Sequence, residues 1–232
     1  MRVEPHTVDS IVHVVKRGAR GLPITRDERD RNRFKLLLYY LNDTYRDEYW
    51  ERALNDVGPF ERPVHWPEWD PLVNVLAWTL MSNHVHLILK EVREGGIAKF
   101  MQKVCGSMTT HFNAKYKERG SLFQGAYRGR TVDLHGDTYL RYLAVYVMVK
   151  NPFELYPGGL TYAIQNFDKA YAWASTYPFT SLGTYAGIQA LPIVDKDIYG
   201  ELFEDPEDFK EFARECMLSR VDVLEEFNFG QV

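Results

Sequence analysis

Apolar residues in the first half of the chain fall into short β-branched runs and longer amphipathic stretches. The run 11–17 and the apolar segments 73–78 and 84–90 predict strands, and the short turn between the last two predicts a hairpin. Apolar residues at spacings of three and four predict helices over 26–54 and from Gly95 to Phe112.

The second half continues the alternation of strands and helices. An edge strand is predicted at 131–134, and apolar residues at helical spacing predict a helix over 139–150 that Pro152 ends. Two further helices are predicted near 166–175 and 206–219. This order of elements predicts an α+β fold of the ferredoxin-like (RRM-like) type. In that fold an antiparallel sheet carries helices on one face, here followed by a C-terminal helical extension.

Charge is distributed unevenly along the chain. The formal net charge is −4 and the isoelectric point is about 6.0, which taken alone argues mildly against a nucleic-acid partner. Residues 97–131 nevertheless carry seven lysines and arginines against one acidic residue, a net of +6. Residues 195–226 carry four against twelve, a net of −8. A phosphate backbone responds to the local field, so the basic segment is the candidate nucleic-acid surface.

Cysteine usage and hydropathy indicate the cellular compartment in which the protein is expected. Cys105 and Cys216 lie far apart without metal-binding spacing, so neither a disulfide framework nor a zinc ribbon is predicted. No apolar run approaches the roughly 20 residues that a membrane span needs, and the first residues lack the apolar region of a signal peptide. We therefore expect a cytoplasmic protein, nucleoid-associated through its basic segment, with no membrane partner.

The sharpest chemical feature is the pair His84 and His86 on the second strand of the hairpin. Alternate residues of a strand point to the same face, so both imidazoles can bind one divalent cation. By itself this spacing is more often found in ordinary surface or partly buried histidines, and the surrounding sequence has to decide between the two interpretations.

The segment around these histidines, Trp78–Leu89 with the sequence WTLMSNHVHLIL, resembles the signature of the single-tyrosine HUH transposases. The resemblance is to the REP-associated tyrosine transposase and IS200-like branch. Three more blocks match that family in the same order, at residues 12–18, 97–125 and 139–152. One block alone would be unspecific, whereas four blocks in order are specific.

The resemblance implies an HUH transposase-like catalytic domain over 1–185 and an acidic, helical C-terminal extension over 186–232. It implies that His84 and His86 bind Mg²⁺ or Mn²⁺ and that Tyr146 is the nucleophile. In the family reaction the tyrosine oxygen attacks a phosphate of single-stranded DNA near a hairpin, leaving a 5′-phosphotyrosine and a free 3′-hydroxyl. A cation suits this chemistry, because a phenol with a pKa of about 10 is otherwise a weak nucleophile.

One position departs from the family pattern. The resemblance implies an amide or acidic ligand four residues after the tyrosine, where this chain has Lys150, and Asn151 follows one residue later. A lysine ammonium cannot bind a cation. Either Asn151 is the ligand, through a helix distorted near Pro152, or the site is incomplete. We favour Asn151, because the proline already disturbs the helix there; Lys150, if it faces the site, would pair with phosphate.

The basic and aromatic stretch from Lys115 to Arg130 is the predicted DNA-binding segment. Cations bind phosphates and aromatic rings stack on unpaired bases, a combination typical of single-strand binding. The predicted contacts, including two residues that end the first strand, are Lys16, Arg17, Lys115, Lys117, Arg119, Phe123, Gln124, Tyr127, Arg128 and Arg130. The competing interpretation is a solvated basic loop whose aromatic rings face the core.

Three other functions compete with an active transposase. A domesticated descendant would bind hairpin or single-stranded DNA without cutting it, and the displaced Asn151 favours that function. An RNA-binding ferredoxin-like domain would carry paired aromatic residues on its central strands, which the histidine strand lacks. A zinc hydrolase would need a third strong ligand at a recognised spacing.

Two further points are left open by the sequence. The active site is completed either within one chain or across a homodimer. The acidic extension either packs on the domain, presents a partner surface or covers the DNA groove.

Overall fold

The centre of the molecule is a four-stranded antiparallel sheet. The computed structural model describes residues 6–132 and 135–219. The strands are β1 (Ile11–Arg17), β2 (Val73–Leu80), β3 (His84–Glu91) and β4 (Arg128–Thr131). They lie in the order β2-β3-β1-β4, and each neighbouring pair is antiparallel. With one long helix after β1 and another after β3, this is the ferredoxin-like arrangement, which confirms the predicted α+β fold.

The described residues also form helices, which pack around the sheet. They are α1 (Glu28–Tyr40), α2 (Trp50–Ala53), α3 (Gly96–Tyr116), α4 (Asp137–Val145), a π-helical turn (Tyr146–Lys150, called the π-turn), α5 (Asn151–Leu155), α6 (Gly159–Gln165), α7 (Phe167–Thr176), α8 (Leu182–Tyr185), α9 (Asp197–Leu202) and α10 (Pro206–Ser219). The buried residues of α3 recur at spacings of three and four, as predicted. None of the helices in these ranges is long and apolar enough to cross a membrane.

The helix predicted over 26–54 is shorter than expected, because α1 ends at Tyr40. The side-chain oxygen of Asn42 accepts hydrogen bonds from the backbone N–H groups of Leu72 and Val73 at 3.1 and 3.0 Å. Its amide nitrogen donates to the Val73 carbonyl at 2.7 Å. These long-range bonds tie the chain after α1 to the start of β2 and so end the helix.

The predicted edge strand and tyrosine helix also have different bounds. The strand β4 begins three residues before the predicted 131–134, and residues 133–134 lie outside the described residues. The prediction that Pro152 ends the helix is wrong, because α4 continues through the π-turn into α5. Pro152 is the second residue of α5 and lies directly after the π-turn.

Helices cover both faces of the sheet, whereas the order of elements in the sequence predicted them on one. Val85, Leu87 and Leu89 of β3 point into a core with α1 and α3, on what we call the apolar face. His86 and Ile88 point to the opposite side, the histidine face, where α4, the π-turn and α5–α8 pack. The near-continuous apolar runs of β1 and β2 are the sequence pattern of strands buried on both sides.

The acidic C-terminal helices pack against the helix that leads to Tyr146. Phe203 belongs to the same buried cluster as α4. Arg141 of α4 lies between the rings of Phe203 and Phe212, at 4.9 and 4.3 Å from their centres, and pairs with Asp208 at 3.4 Å. Up to Ser219, where the description ends, the extension therefore packs on the domain, the first of the three roles left open.

Candidate metal and nucleophile site

His84 and His86 both lie on the histidine face, since residues two apart on a strand point the same way. Their ring centres are 4.9 Å apart and the ring planes are 77° to each other. A histidine nitrogen lies roughly 2.0–2.1 Å from a bound zinc ion, so rings this close can both reach one cation. His86 is 1% exposed, whereas His84 is partly exposed at the start of β3. A cation held here would keep one side open to solvent or substrate.

Asn83 determines which nitrogen of His84 carries the hydrogen. The His84 Nδ1 lies 2.7 Å from the side-chain oxygen of Asn83. An amide oxygen can only accept, so Nδ1 donates and Nε2 keeps its lone pair. That lone pair is what a metal ion requires.

Burial keeps both imidazoles neutral. Burial, with the Arg17 guanidinium acting in the same direction, lowers the pKa of His84 from its ordinary 6.5 to about 4. Burial also lowers the pKa of His86 well below 6.5, and the neighbouring His13 and His84 add to this effect. Both rings are therefore uncharged at neutral pH, which is the form that binds metal.

Tyr146 lies edge-on to His86, with the ring centres 5.4 Å apart and the planes at 80°. The predicted nucleophile and metal ligands therefore meet within one chain. Burial raises the pKa of Tyr146 to about 12, and the Glu154 carboxylate acts in the same direction, whereas the Arg17 guanidinium opposes it. The phenol is protonated at neutral pH and becomes an effective nucleophile only beside a further positive charge.

The π-turn connects Tyr146 to Asn151. The Asn151 N–H donates to the Tyr146 carbonyl, five residues back rather than four. Pro152 favours this distortion, because it has no N–H for the carbonyl four residues earlier. In an α-helix the Asn151 N–H would donate to the Val147 carbonyl. Here that carbonyl instead accepts a hydrogen bond from the Thr79 hydroxyl of β2 at 2.7 Å.

The π-turn returns Asn151 to the side of the helix that carries Tyr146. A backbone bond that closes over five residues places the fifth residue where an α-helix places the fourth. Asn151 is 2% exposed, and among the described residues its amide nitrogen has no hydrogen-bond partner. Because the amide oxygen and nitrogen exchange places by a rotation, a buried amide with an unused end suits a cation ligand. The helix distortion is thus present, and ligation by Asn151 stays a prediction.

Lys150 stands at the position four residues after the tyrosine. Its ammonium lies 5.2 Å from the centre of the Tyr146 ring and forms an ion pair with Glu154. The lysine side chain is only 14% exposed, so the pair is partly shielded from water. One positive and one negative group therefore flank the phenol in addition to the histidines.

Among the described residues, the donor set lacks the third strong ligand of a recognised zinc site and keeps positions open for oxygen ligands. Within the described ranges, no three histidine, cysteine or carboxylate side chains are grouped to hold a metal. The zinc-hydrolase alternative thus lacks its third strong ligand there. Two imidazoles and one amide leave positions for water and phosphate oxygens, the ligands that hard cations such as Mg²⁺ prefer.

Four of the predicted DNA contacts border the histidine face. Arg17 stands opposite His84 in the β1–β3 pair. Arg128 and Arg130 of β4 stand opposite β1 residues that share this face. The N–H of Gln124 donates to the Arg17 carbonyl at 2.9 Å, so Gln124 lies beside that arginine. Together these residues form the border of the site along β1 and β4.

Two of the predicted cationic DNA contacts, Lys16 and Lys115, bind other groups of the protein instead of lying free on its surface. Lys16 points to the apolar face, is 6% exposed and donates to backbone carbonyls of the segment 124–125. Lys115 forms ion pairs with Asp27 and Asp30 at 2.6 and 2.7 Å, which link α3 to the start of α1. A phosphate contact from either lysine would have to displace these bonds.

The remaining predicted contacts divide into core residues and surface residues. Phe123 is 4% exposed and packs, with the partly buried Tyr127, in the core of the apolar face. For these two rings the geometry matches the competing interpretation of inward-facing aromatics. Lys117 and Arg119 are exposed just after α3.

Two residues that the sequence analysis does not single out contact the site. His13 of β1 is fully buried, and its Nε2 lies 3.0 Å from Nδ1 of His86. Thr79 of β2 is also fully buried, and its hydroxyl donates a hydrogen bond to the Val147 carbonyl of the π-turn. The only signal for His13 is a polar residue in the otherwise apolar run IVHVV of a central strand.

The segment that carries His84, His86 and Tyr146 also matches a known family. Residues 70–148 match the family model described as Transposase IS200 like. Over these residues the chain is similar to the IS200-like transposases. The match begins just before β2 and ends two residues after Tyr146, so Asn151 and the C-terminal helices lie outside it.

Comparisons beyond the family model are weaker. No curated protein matches the chain. One similar solved structure is described as the REP associates tyrosine transposase bound to a REP hairpin. It covers 83% of this chain and 89% of its own, with 9% sequence identity and a TM-score of 0.43. A likeness at that level carries no argument about the substrate or mechanism of this chain.

Proposed function

We propose that this protein is a metal-dependent enzyme that cuts and rejoins single-stranded DNA near a hairpin, with Tyr146 as the nucleophile. The observation that carries the proposal is the edge-on contact between Tyr146 and His86 within one chain. The match of residues 70–148 to the IS200-like transposase model supports DNA as the substrate. We assign His84, His86 and Asn151 as the ligands of Mg²⁺ or Mn²⁺.

In the proposed reaction the Tyr146 oxygen attacks the scissile phosphorus. A tyrosine–phosphorus bond forms, and the bond from phosphorus to the 3′ oxygen breaks. The phenol loses its proton and the departing 3′ oxygen gains one, so the products are a 5′-phosphotyrosine and a 3′-hydroxyl. When bound, the cation supplies positive charge that favours phenolate and offsets the charge developing on the phosphate. Attack by a 3′-hydroxyl on the phosphotyrosine reverses the reaction and rejoins a strand.

The residues that border the histidine face are the proposed DNA contacts nearest to the nucleophile. We assign phosphate contacts to Arg17, Arg128 and Arg130, because they share the face on which Tyr146 lies. Gln124 beside Arg17 is the proposed base contact. Lys150 lies close enough to the Tyr146 ring to contact a phosphate bound there. With DNA as its substrate, we propose that the protein acts on the nucleoid.

A single chain is the proposed catalytic unit. The nucleophile and both histidines meet without a second protomer. The packing of Arg141 between Phe203 and Phe212 also holds the tyrosine-bearing helix in its own chain.

The second candidate function is binding of hairpin DNA without cleavage. The observation that favours it is Lys150, a cation at the position where the family resemblance implies a metal ligand. An ammonium beside the phenol would hold a DNA phosphate even if the metal site were incomplete.

The two functions are distinguished by incubating the full chain with labelled hairpin oligonucleotides that carry randomised single-stranded flanks, in the presence of Mn²⁺. The enzyme predicts a protein–DNA adduct that survives denaturation and is lost in Tyr146→Phe. Tyr142→Phe is the matched control, since Tyr142 is a buried tyrosine of the same helix, and it should keep the adduct. Binding without an adduct would favour the second candidate, and absence of both would contradict each of them.

A further inference from the structure

We propose that His13 is a positioning residue, whose Nε2 accepts a hydrogen bond from Nδ1–H of His86 and so keeps the Nε2 lone pair of His86 available to a cation. The inference rests on the metal site of the proposed function. It adds a residue that neither the family match, which begins at residue 70, nor the predicted ligand set contains.

The contact is built into the centre of the sheet. His13 stands opposite Ile88 in the β1–β3 pair, so it shares the histidine face with His86, two residues away on β3. The two imidazoles are stacked, with ring centres 5.2 Å apart and planes at 17°, and Nε2 of His13 lies 3.0 Å from Nδ1 of His86. Both side chains are buried, at 0% and 1% exposed, so water does not compete for this hydrogen bond.

Only one hydrogen can lie between the two nitrogens, and its position decides whether His86 can bind a cation. If His13 donated, a neutral His86 would carry its own hydrogen on Nε2 and would have no lone pair there. If His86 donates from Nδ1, its Nε2 is bare. The second arrangement is the one that a metal ligand requires, and His13 would hold His86 in it by accepting at Nε2 and carrying its own hydrogen on Nδ1.

His84 provides an internal comparison. Its Nδ1 is fixed as a donor by the side-chain oxygen of Asn83 at 2.7 Å. Each of the two paired histidines thus has a partner at Nδ1, and each keeps Nε2 for the same purpose. Metal-binding histidines commonly donate their second N–H to such a partner, and loss of the partner lowers metal affinity by about 10–100-fold.

The competing explanation is that His13 and His86 form a buried polar pair that only stabilises the core. The two explanations differ in the hydrogen position and in metal affinity. A structural pair would tolerate either tautomer of His86, and removing His13 would affect the free energy of unfolding without a specific effect on metal binding.

The first measurement is nitrogen-15 NMR of the histidine rings in the metal-free full chain. It should show His86 protonated at Nδ1, and His13→Leu should shift part of the population to the Nε2–H form. A wild-type His86 protonated at Nε2 would overturn the inference. This readout needs neither DNA nor catalysis, so its failure is distinct from failure of adduct formation.

The second measurement is Mn²⁺ affinity by isothermal titration without DNA. His13→Leu should bind Mn²⁺ about 10–100-fold more weakly than the wild type. His13→Gln, which can place an amide oxygen near the position of Nε2, should restore most of the affinity. If His13→Leu does not fold, the wild-type tautomer and the affinity of His13→Gln still decide; equal affinity in a folded His13→Leu would overturn the inference.

Discussion

The apolar face and the histidine face of the sheet use the same strand for different purposes. On β3, Val85, Leu87 and Leu89 fill the core under α1 and α3. His84 and His86 alternate with them on the opposite side, where His86 contacts Tyr146. Alternation along a strand therefore separates stability from chemistry by a single residue step. The two faces should respond differently to the same kind of substitution.

The buried polar groups of the histidine face carry a cost that Val85, Leu87 and Leu89 avoid. A buried polar group loses its hydrogen bonds to water and has to recover them inside the protein. His86 recovers one through His13, and the Val147 carbonyl recovers one through Thr79. The Thr180 hydroxyl in turn lies 2.7 Å from that of Thr79, which extends the buried network.

The largest contrast is expected between neighbours on β3. Leu87→Ala should lower the free energy of unfolding by about 2–5 kcal/mol, because it leaves a cavity in the apolar face, and the folded fraction should still bind Mn²⁺. His86→Ala should abolish Mn²⁺ binding with a smaller loss of stability. Urea unfolding and Mn²⁺ titration measure both quantities. Equal losses of stability and metal binding in both variants would show that the faces are not functionally distinct.

A strong pH dependence is expected of the histidine face in metal-free protein. Folding holds the pKa of His13 at about 3 and that of His84 at about 4, both lowered mainly by burial, against 6.5 in the unfolded chain. Between these values the unfolded state binds more protons, so the free energy of unfolding falls as the pH drops below about 6.5. Each histidine contributes a slope of up to about 1.4 kcal/mol per pH unit.

Urea titrations with EDTA from pH 8 to pH 4 measure this dependence. Replacing His13 by Phe should flatten the slope, whereas Leu87→Ala should lower the curve without changing its shape. A slope that is the same in His13→Phe and the wild type would contradict the assigned cause.

A tenfold or larger change in metal affinity is expected at Asn151. Asn151→Leu should weaken Mn²⁺ binding by about tenfold or more, by analogy with the loss of other metal-site partners. Asn151→Asp should keep or strengthen it, because a carboxylate oxygen is a good ligand for hard cations. The matched control is Asn166→Leu, at a partly exposed asparagine between α6 and α7. Unchanged affinity in Asn151→Leu would mean that the two histidines bind without it.

The smallest effect on stability and metal binding is expected at Thr79, whose hydroxyl donates a hydrogen bond to the π-turn. Thr79→Val would leave the Val147 carbonyl without its donor and should cost about 1–3 kcal/mol of stability. Because the π-turn sets the position of Asn151, Mn²⁺ affinity should fall as well. Thr180→Val, one hydroxyl further away, should have the weaker effect in both measurements. Equal effects of the two substitutions, or a larger effect of Thr180→Val, would contradict the dependence of the π-turn on Thr79.

The parts of the molecule that follow local periodicity could be predicted from the sequence. The strands of the hairpin, the helix α3 and the shared face of His84 and His86 follow from spacings of two and of three to four. Helix coverage of the second face could not be predicted in this way. This coverage depends on α4–α8, and the apolar positions of these helices do not indicate which side of the sheet they pack against.

The parts that depend on distant partners could not be read from the sequence. Lys16 and Arg17 are adjacent cations, yet one is buried against backbone carbonyls and the other borders the site, because they point to opposite faces. The partner of Lys115 is α1, far away in sequence. The position of Asn151 depends on the π-turn. A proline in the sequence indicates that the helix is distorted, but the hydrogen bond from Thr79 to the Val147 carbonyl comes from a distant strand and cannot be predicted from it.

The most direct test of the account is to map the site of covalent attachment after reaction with hairpin DNA and Mn²⁺. Nuclease treatment and trypsin should leave a nucleotide on the peptide Tyr142–Lys150, which follows Arg141 and contains two tyrosines. Fragmentation should place the phosphate on Tyr146, with Tyr142 unmodified. A phosphate on Tyr142 or on any other residue would contradict the claim that the phenol beside His86 is the nucleophile.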